Sequence, residues 1–202
     1  MKLTPDQKAK TKQVLLERFV NETTLLVKKA IAEVIGMLSK ILIPNKEWNE
    51  LFQFIFTQTQ SQNIAEKEQA MILLSVIIEY FSFEQVKLYY DQLNPIIEQY
   101  LKSDVPSLKT LSIETVNKLA QTPQAVQVMK KYHTLIPLVL NALEGQQNED
   151  LIAKVFETFN EFAEFKKVLG PYLPAIIEKA LLTSADADVG VNVREQTMYF
   201  IG

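Results

Sequence analysis

The sequence predicts an all-α solenoid, a stack of antiparallel helix pairs, and three observations support this prediction. Five glycines in 202 residues are too few for a fold rich in β-hairpins, whose turns need residues that tolerate positive φ. A marker position returns in steps of 39, 42, 43 and 42 residues, and four of its five occurrences are basic. Each marker precedes apolar residues at i, i+3 and i+6, which lie along one helix face. The markers are Lys28, Lys67, Lys109, Ile152 and Arg194.

The apolar triples place one amphipathic helix in each repeat. They are Ala32/Ile35/Leu38, Met71/Leu74/Ile77, Ile113/Val116/Leu119, Phe156/Phe159/Phe162 and the incomplete Met198/Ile201. Because helix pairs with a period of about 40–47 residues are typical of HEAT arrays, we predict an α-solenoid (superhelix) of about five HEAT repeats, the last one truncated. The repeats are predicted as one array over residues 1–43, 44–81, 82–121, 122–166 and 167–202. Such arrays are binding surfaces far more often than enzymes.

Composition argues against most catalytic and metal sites. The chain has no cysteine, so disulfides, thiolate catalysis and cysteine-ligated zinc are excluded. His133 is the only histidine, which argues against a catalytic triad and against a metal site with two histidines. The sequence also has no glycine-rich phosphate loop. We therefore predict no enzymatic activity, no cofactor and no metal.

Charge and hydropathy limit the possible partners. Residues 1–50 carry nine Lys/Arg against six Asp/Glu, a net charge of +3, whereas residues 51–202 carry twelve against eighteen, a net charge of −6. This distribution does not support nucleic-acid binding, and it suits a basic protein partner, although most acidic surfaces only keep a protein soluble. The apolar run at 71–78 is far too short to cross a bilayer. The first residues lack the apolar region of a secretory signal.

The first two repeats have clear start and stop signals. Thr4 followed by Pro5 predicts an N-cap and a proline at the first helical position, and hence a helix over 4–20. Its partner is predicted over 22–42, because Pro44 cannot continue a helix. The second pair is predicted over 46–59 and 64–81, joined by the polar residues 58–63.

The third to fifth pairs share a proline in the first helix. Pro95, Pro137 and Pro174 each lead into an apolar run. Either each proline bends one long outer helix, or each begins a shorter helix. The predicted helices are 83–101 and 105–120, then 123–143 and 148–165, then a pair that begins near Leu169 and restarts at Val191 after the loop 184–190.

Carboxylates recur on the solvent side of the predicted inner helices. In the fourth repeat they lie on one helix face, opposite Phe156, Phe159 and Phe162. Because inner helices line the concave side of a HEAT superhelix, we predict a ladder of carboxylates that faces the groove. This ladder is either an ordinary solvated face or an acidic surface for a lysine-rich protein, to which it contributes on-rate and specificity. Its members are Glu33, Glu79, Glu114, Asp150, Glu157, Glu161 and Glu164.

A few single residues are interpreted structurally. Trp48, the only tryptophan, is predicted to pack in the core, and His133 to lie at the surface or between repeats. Asp186 and Asp188 lack the glycine and the terminal glutamate of a calcium loop, so we predict a solvated linker. The helix from Val191 lacks the polar outer face expected at the end of a solenoid. We therefore expect a segment of a longer protein, or else ends that pair with themselves or with another copy.

Taken in order, these segments resemble the N-terminal third of the importin-β (karyopherin-β) family, and most closely its importin four and importin five branch. Val27–Ile35 is similar to the family's V-R-x-x-A-A-x-x-I, Glu47–Leu51 to W-P-E-L, and Glu66–Ser75 to R-E-x-x-x-x-x-L-L-S. Asn192–Thr197 resembles V-R-x-x-A again. The chain departs from these patterns at Asn49, which replaces a proline, and at the markers where Lys or Ile replaces Arg.

The resemblance implies a segment of a nuclear import receptor. The concave face would bind protein cargo with a basic localisation signal, and Ran-GTP would bind near the N-terminal inner helices and expel the cargo. Phenylalanine–glycine (FG) nucleoporins would insert between outer helices, and the protein would act in the cytoplasm, the nucleus and the nuclear pore. Candidate aromatic residues for the nucleoporin slots, predicted to be exposed, are Phe81, Phe83, Tyr89, Tyr90 and Tyr132. The alternative is another HEAT scaffold, either a phosphatase scaffolding subunit or a chromosome-associated subunit.

Overall fold

The computed structural model describes residues 4–122 and 124–201, and every regular element in these ranges is a helix. The predicted helix start at Pro123 and the terminal residues Met1–Leu3 and Gly202 lie outside the described residues. Short turns connect the helices into antiparallel pairs. The predicted fold class, an all-α solenoid of HEAT-like helix pairs, is confirmed.

The chain forms two compact units, unit 1 (Met1–Tyr80) and unit 2 (Phe81–Gly202). In unit 1, α1 packs on α2 and α3 packs on α4. The second helices of the two pairs, α2 and α4, also pack on each other and so join the pairs. The helices are α1 (Pro5–Asn21), α2 (Leu25–Leu42), α3 (Asn49–Thr59) and α4 (Ile64–Ile77), and a 3-10 turn at Ile78–Tyr80 follows α4.

Unit 2 repeats this arrangement with its own helix pairs. The second helices again form a row, because α6 packs on α9 and α9 packs on α12. The first helices flank this row, with α5 against α6 and α7, and α11 against α12. The helices are α5 (Phe83–Leu101), α6 (Pro106–Ala120), α7 (Ala125–Tyr132), α8 (Ile136–Asn141), α9 (Glu149–Phe162), α10 (Lys166–Leu169), α11 (Leu173–Ala185) and α12 (Val191–Ile201).

Local capping explains where several helices begin. The Thr4 hydroxyl accepts a hydrogen bond from the Gln7 amide, while the Gln7 side chain accepts one from the Thr4 amide, which is a complete capping box. Ser82 and Gln85 form the same box at the start of α5. The Asn148 side chain accepts from the Leu151 amide at the start of α9. These polar side chains satisfy amides that have no partner within the first turn.

The three recurrent prolines behave in two different ways. Pro95 lies inside α5, which continues through it, so this proline fits the first of the two sequence interpretations. Pro137 and Pro174 occupy the first turn of α8 and α11, where a missing amide hydrogen costs no helical hydrogen bond. A 3-10 turn at His133–Leu135 separates α7 from α8, so the predicted continuous helix over 123–143 is wrong.

The predicted apolar triples form most of the core. Ile35, Leu74 and Phe156 have at most 1% of their surface exposed, and Trp48 is also 1% exposed, as predicted. Leu38 and Ile201 are only partly buried, and Met198 is 52% exposed on α12. The packing of α12 against α9 and α11 covers other residues of that helix, Val193 and Thr197.

Contacts between loops and helices hold neighbouring pairs together within each unit. In unit 1, Lys8 Nζ lies 2.7 Å from Glu47 Oε2. In unit 2, the Gly190 amide donates to Glu149 Oε1 at 2.8 Å. Asp186 and Asp188 lie exposed in the loop before α12, as predicted for a solvated linker. In the part of the chain that the structure describes, no helix combines the length and the apolar character needed to cross a membrane.

Candidate protein-binding site

Three of the predicted carboxylates share one stripe of α9, and a fourth follows the helix. Asp150, Glu157 and Glu161 are spaced by seven and four residues, which keeps them on one side of a helix with 3.6 residues per turn. Glu164 lies in the turn after α9, which ends at Phe162. Asp150 and Glu164 are exposed, whereas Glu157 and Glu161 are partly buried. The opposite side of α9 buries its phenylalanines, so packing in unit 2 holds the carboxylates toward solvent.

Lys154 lies within this stripe and neutralises part of it. Its Nζ atom is 3.0 Å from Glu157 Oε2 and 4.0 Å from Glu114 Oε1 on α6. The three side chains keep between about a fifth and a half of their surface exposed, so each ion pair contributes little stability. Lys154 was not among the predicted site residues, although its position three residues before Glu157 indicates a helical ion pair.

A hydrogen-bonded chain connects the same surface to the end of α6. Gln121 Nε2 donates to Glu161 Oε1 at 3.1 Å and to Asn117 Oδ1 at 3.1 Å. Glu114, Glu157 and Glu161 therefore belong to one surface that spans the α6–α9 packing contact. We call the α9 acidic surface the set Glu114, Asp150, Glu157, Glu161 and Glu164.

The remaining two predicted carboxylates lie in unit 1. Glu33 is exposed on α2, where Lys29 lies one turn before it and Met37 one turn after it. Glu79 is partly buried in the 3-10 turn that follows α4, because α4 ends at Ile77 rather than at the predicted residue 81. Contacts thus link Glu114, Glu157 and Glu161 in unit 2, whereas the ladder of all seven carboxylates stays a prediction.

The α9 acidic surface offers charge but no catalytic constellation. No described histidine lies on it, since His133 is exposed just after α7, where its Nδ1 donates a hydrogen bond to the Lys130 carbonyl. Among the described residues, no group of three or more Asp, Glu or His side chains is arranged to hold a metal ion. The surface is suited to reversible electrostatic binding of a cationic partner.

The aromatic candidates are less exposed than predicted. Phe81 is 1% exposed and Tyr132 is 0% exposed, so the prediction of exposure is wrong for both. Tyr132 packs edge-to-face on Tyr90, with ring centroids 4.9 Å apart. The Tyr90 hydroxyl donates to the Lys131 carbonyl at 3.2 Å, and Lys131 Nζ lies 4.0 Å from the Tyr90 ring centroid. Packing of α5 against α7 therefore buries aromatic rings that would be exposed to solvent on an isolated helix.

Comparison with known proteins identifies the family. A family model described as "IPO5-like, TPR repeats" matches residues 23–179, which is well over half of the chain. The chain belongs to the importin-β family. The predicted resemblance is thereby confirmed, including its importin five branch. The repeat steps of 39–43 residues exceed the period of about 34 residues of TPR repeats, so HEAT-like describes these helix pairs better.

Two relatives illustrate how much of an importin the chain represents. It is 24% identical over 144 residues to a probable importin-5 homolog of Dictyostelium discoideum, covering 70% of this chain and 13% of that protein. It is 34% identical over 80 residues to a probable importin subunit beta-4 of Schizosaccharomyces pombe, covering 40% of this chain and 7% of that protein. This importin-family chain therefore spans a small part of the length of the relatives that it matches.

Two buried tyrosines of this importin-family chain are expected to titrate late at alkaline pH. Burial raises the pKa of Tyr100 from 10.0 to about 12, and burial raises the pKa of Tyr132 as well. Because the folded-state pKa exceeds the unfolded value, the stabilisation is complete below about pH 10 and is lost as the pH rises through about 12. Tyrosinate absorbance should therefore rise later in the native chain than in the denatured chain.

Substitution of a single tyrosine shows which residue causes the late rise in tyrosinate absorbance. Tyr132→Phe is expected to remove part of the late phase, because burial raises the pKa of this phenol. The Tyr132 hydroxyl has no hydrogen-bond partner among the described residues, so Tyr132→Phe should leave stability unchanged or raise it. An unchanged late phase in Tyr132→Phe would contradict the assignment.

Proposed function

We propose that this chain is part of a nuclear import receptor and that the α9 acidic surface binds protein cargo through a basic localisation signal. The single observation that supports this role is the linkage of Glu114, Glu157 and Glu161, through Lys154 and Gln121, across the α6–α9 contact of an importin-family solenoid. The family match also favours a transport receptor over the phosphatase or chromosome-associated scaffolds that the sequence alone left open.

The expected partner is a lysine-rich or arginine-rich segment. The five carboxylates of this surface outnumber the cations beside them, which are Lys154 and, one turn after Glu114 on the same side of α6, Lys118, so the surface keeps an excess of negative charge. Lys154 occupies the space between Glu114 and Glu157 that a partner's ammonium group would also favour. Lys154 therefore competes with the partner for these carboxylates. Binding requires that a cationic group of the partner replaces the Lys154 ammonium group, while the carboxylates stay hydrated.

The rest of the transport cycle follows from family membership and is part of the same proposal. Ran-GTP would release the cargo, and FG nucleoporins would bind the first helices of unit 2, where Phe83, Tyr89 and Tyr90 keep part of their surface exposed. The receptor would move between cytoplasm and nucleus through the nuclear pore. We further propose that the helix pairs belong to one HEAT array within a longer protein.

Binding of a lysine-rich signal peptide, followed by fluorescence anisotropy at low ionic strength, tests the role of the acidic surface. The double variant Glu157→Lys/Glu161→Lys should bind the peptide about tenfold more weakly, because two attractive charges become repulsive and each is worth roughly 0.2–1 kcal/mol at a surface. Lys154→Met should bind a few-fold more tightly, because the internal competitor is removed. Added salt should shrink both effects.

The matched control changes net charge by the same amount elsewhere. Glu84→Lys/Glu178→Lys alters two exposed carboxylates on α5 and α11, away from the acidic surface. Equal weakening by both double variants would show that only net charge matters, and the site assignment would then be wrong. Release of the bound peptide by Ran loaded with GTP, but not with GDP, distinguishes a transport receptor from another HEAT scaffold.

A further inference from the structure

A cavity opens in unit 2 between the helix pair that ends in α9 and the pair formed by α11 and α12. Its volume is about 190 Å³, and its apolar lining consists of Leu143, Ile152, Leu182 and Val189. Ile152, in the first turn of α9, is 5% exposed, whereas Leu182, near the end of α11, is 60% exposed. The cavity therefore has a buried apolar base and an accessible apolar edge. We call it the α9–α11 pocket.

A departure from the repeat pattern accounts for this space. In unit 1, the basic marker Lys28 places its Nζ atom 5.5 Å from the ring centroid of Phe19, nine residues earlier in the chain. In the repeat that contains α9, the same two positions hold Ile152 and Leu143. Both side chains are smaller than those at the unit 1 positions, and both line the pocket. The one marker that is not basic thus coincides with a cavity.

Both helix pairs that border the pocket are formed. The second helices α9 and α12 pack on each other, and α11 packs on α12. Lys179, Leu182 and Thr183 line the pocket from one side of α11, at the i, i+3, i+4 spacing of a single helix face. The pocket is therefore an opening between two neighbouring pairs, and it differs from a helix face onto which a further pair would stack.

The volume of the pocket limits the size of its occupant. Pockets for small-molecule ligands enclose about 300–1,000 Å³, whereas an apolar cavity of about 150 Å³ holds benzene. A cavity of about 190 Å³ thus accommodates one large apolar side chain. The lining side chains are aliphatic, polar or charged, so they offer contacts to a branched alkyl group but no ring for stacking. A leucine or isoleucine of a partner segment fits this lining as an anchor.

The loops beside the pocket determine the charge of that segment. Residues 143–150 and 184–190 contain five carboxylates and no lysine or arginine. Glu149 Oε1 accepts a hydrogen bond from the Gly190 amide, which holds this carboxylate between the two loops. Lys179 is the cation among the lining residues, so negative charge prevails around the opening. This charge favours lysines or arginines beside the apolar anchor. The five carboxylates are Glu144, Glu149, Asp150, Asp186 and Asp188.

We propose that the α9–α11 pocket binds a leucine or isoleucine of a basic partner segment, with lysines or arginines on either side of it. This inference rests on the proposed function, because Asp150 belongs both to the loop beside the pocket and to the α9 acidic surface. The basic residues of the segment contact the carboxylates, while the aliphatic residue enters the pocket. The acidic surface thus attracts basic segments in general, and the pocket selects those with a correctly placed aliphatic residue.

Two peptides that differ in one residue test the pocket. Both are lysine-rich, one has a central leucine where the other has a serine, and binding to the whole chain is followed by fluorescence anisotropy at low ionic strength. The leucine peptide should bind about tenfold more tightly, the effect of burying most of one leucine side chain. Leu182→Glu should remove this advantage, because it replaces an apolar part of the lining with a charged group.

Leu181→Glu is the matched control for this substitution. It adds the same charge at the neighbouring position, which is 50% exposed and does not line the pocket. The tighter binding of the leucine peptide should therefore persist in Leu181→Glu. Because a new carboxylate attracts a lysine-rich peptide, a loss in Leu182→Glu cannot result from charge repulsion. Circular dichroism of both variants controls for folding.

Failure of this inference is distinguishable from failure of the proposed function. Equal binding of the two peptides, both weakened by Glu157→Lys/Glu161→Lys, would overturn the role of the pocket and leave the acidic surface as the site. A leucine advantage that survives in Leu182→Glu would place the leucine elsewhere on the chain and would also overturn that role. Tighter binding of an uncharged phenylalanine–glycine peptide, lost in Leu182→Glu, would contradict the basic character of the segment. Absence of binding by either lysine-rich peptide would contradict the proposed function itself.

Discussion

Replacing Phe159 by alanine is expected to lower the free energy of unfolding by about 3–5 kcal/mol, the usual loss for a buried aromatic side chain. Phe159 is 0% exposed at the centre of α9. Its ring contacts those of Phe156, Phe162 and Phe200, with centroid distances of 6.2, 6.0 and 6.2 Å. Phe200 belongs to α12, so the substitution leaves a cavity at the packing contact between two second helices of unit 2.

Urea unfolding followed by far-ultraviolet circular dichroism measures this loss. Phe165→Ala is the matched control, because the same side chain is removed from a partly exposed position just beyond α9. It should cost clearly less than Phe159→Ala. Equal losses would mean that the Phe159 cluster is not a packing centre of unit 2. Trp48, the only tryptophan and a residue of unit 1, gives a fluorescence signal that reports on the other unit.

Replacing Gly36 by leucine is expected to destabilise the chain by about 2 kcal/mol or more, since overpacking a core costs roughly 1–3 kcal/mol for small additions. Gly36 lies on the buried side of α2. A Cβ atom there would lie 2.5 Å from Val76 Cγ1 and 3.0 Å from Tyr80 Cε2. The higher helix propensity of leucine stabilises the helix by less than about 1 kcal/mol. The steric clash is larger, so the net effect on the free energy of unfolding is a loss.

Thermal unfolding measures this effect against two further variants. Ala30→Leu adds a large side chain to the exposed side of α2 and should leave the midpoint nearly unchanged. Val76→Ala combined with Gly36→Leu should recover part of the loss, because it removes the atom closest to the new side chain. An unchanged midpoint in Gly36→Leu would show that α2 and α4 tolerate a wider separation.

The sequence contained the information for the helices because that information is local. Capping residues such as Thr4 and Ser82 act within one turn. Helix α2 ends just before Pro44, because proline has no amide hydrogen to donate and its ring clashes with the preceding turn. The clustering of Asp150, Glu157 and Glu161 follows from helical periodicity alone. Much of the candidate site could therefore be predicted from α9 by itself.

Contacts between helices could not be read from local periodicity. The ion pair of Lys154 with Glu114 and the hydrogen bond of Gln121 with Glu161 both join α6 to α9. Tyr132 carries a polar hydroxyl and follows two lysines, so its sequence indicates a surface residue, yet α5 covers it. Pro95 and Pro137 occur in similar sequence contexts, but only the packing of each first helix decided between a continuous helix and a break.

The sequence by itself determined that this protein is a stack of helix pairs of importin type, because a period near 42 residues and the apolar triples are properties of single helices repeated along the chain. Tertiary structure alone decided which residues of those helices remain available to a partner. It buried Phe81 and Tyr132 and placed Lys154 among the carboxylates. The physical reason is that exposure depends on which neighbouring helix covers a side, and that neighbour lies some 40 residues away along the chain.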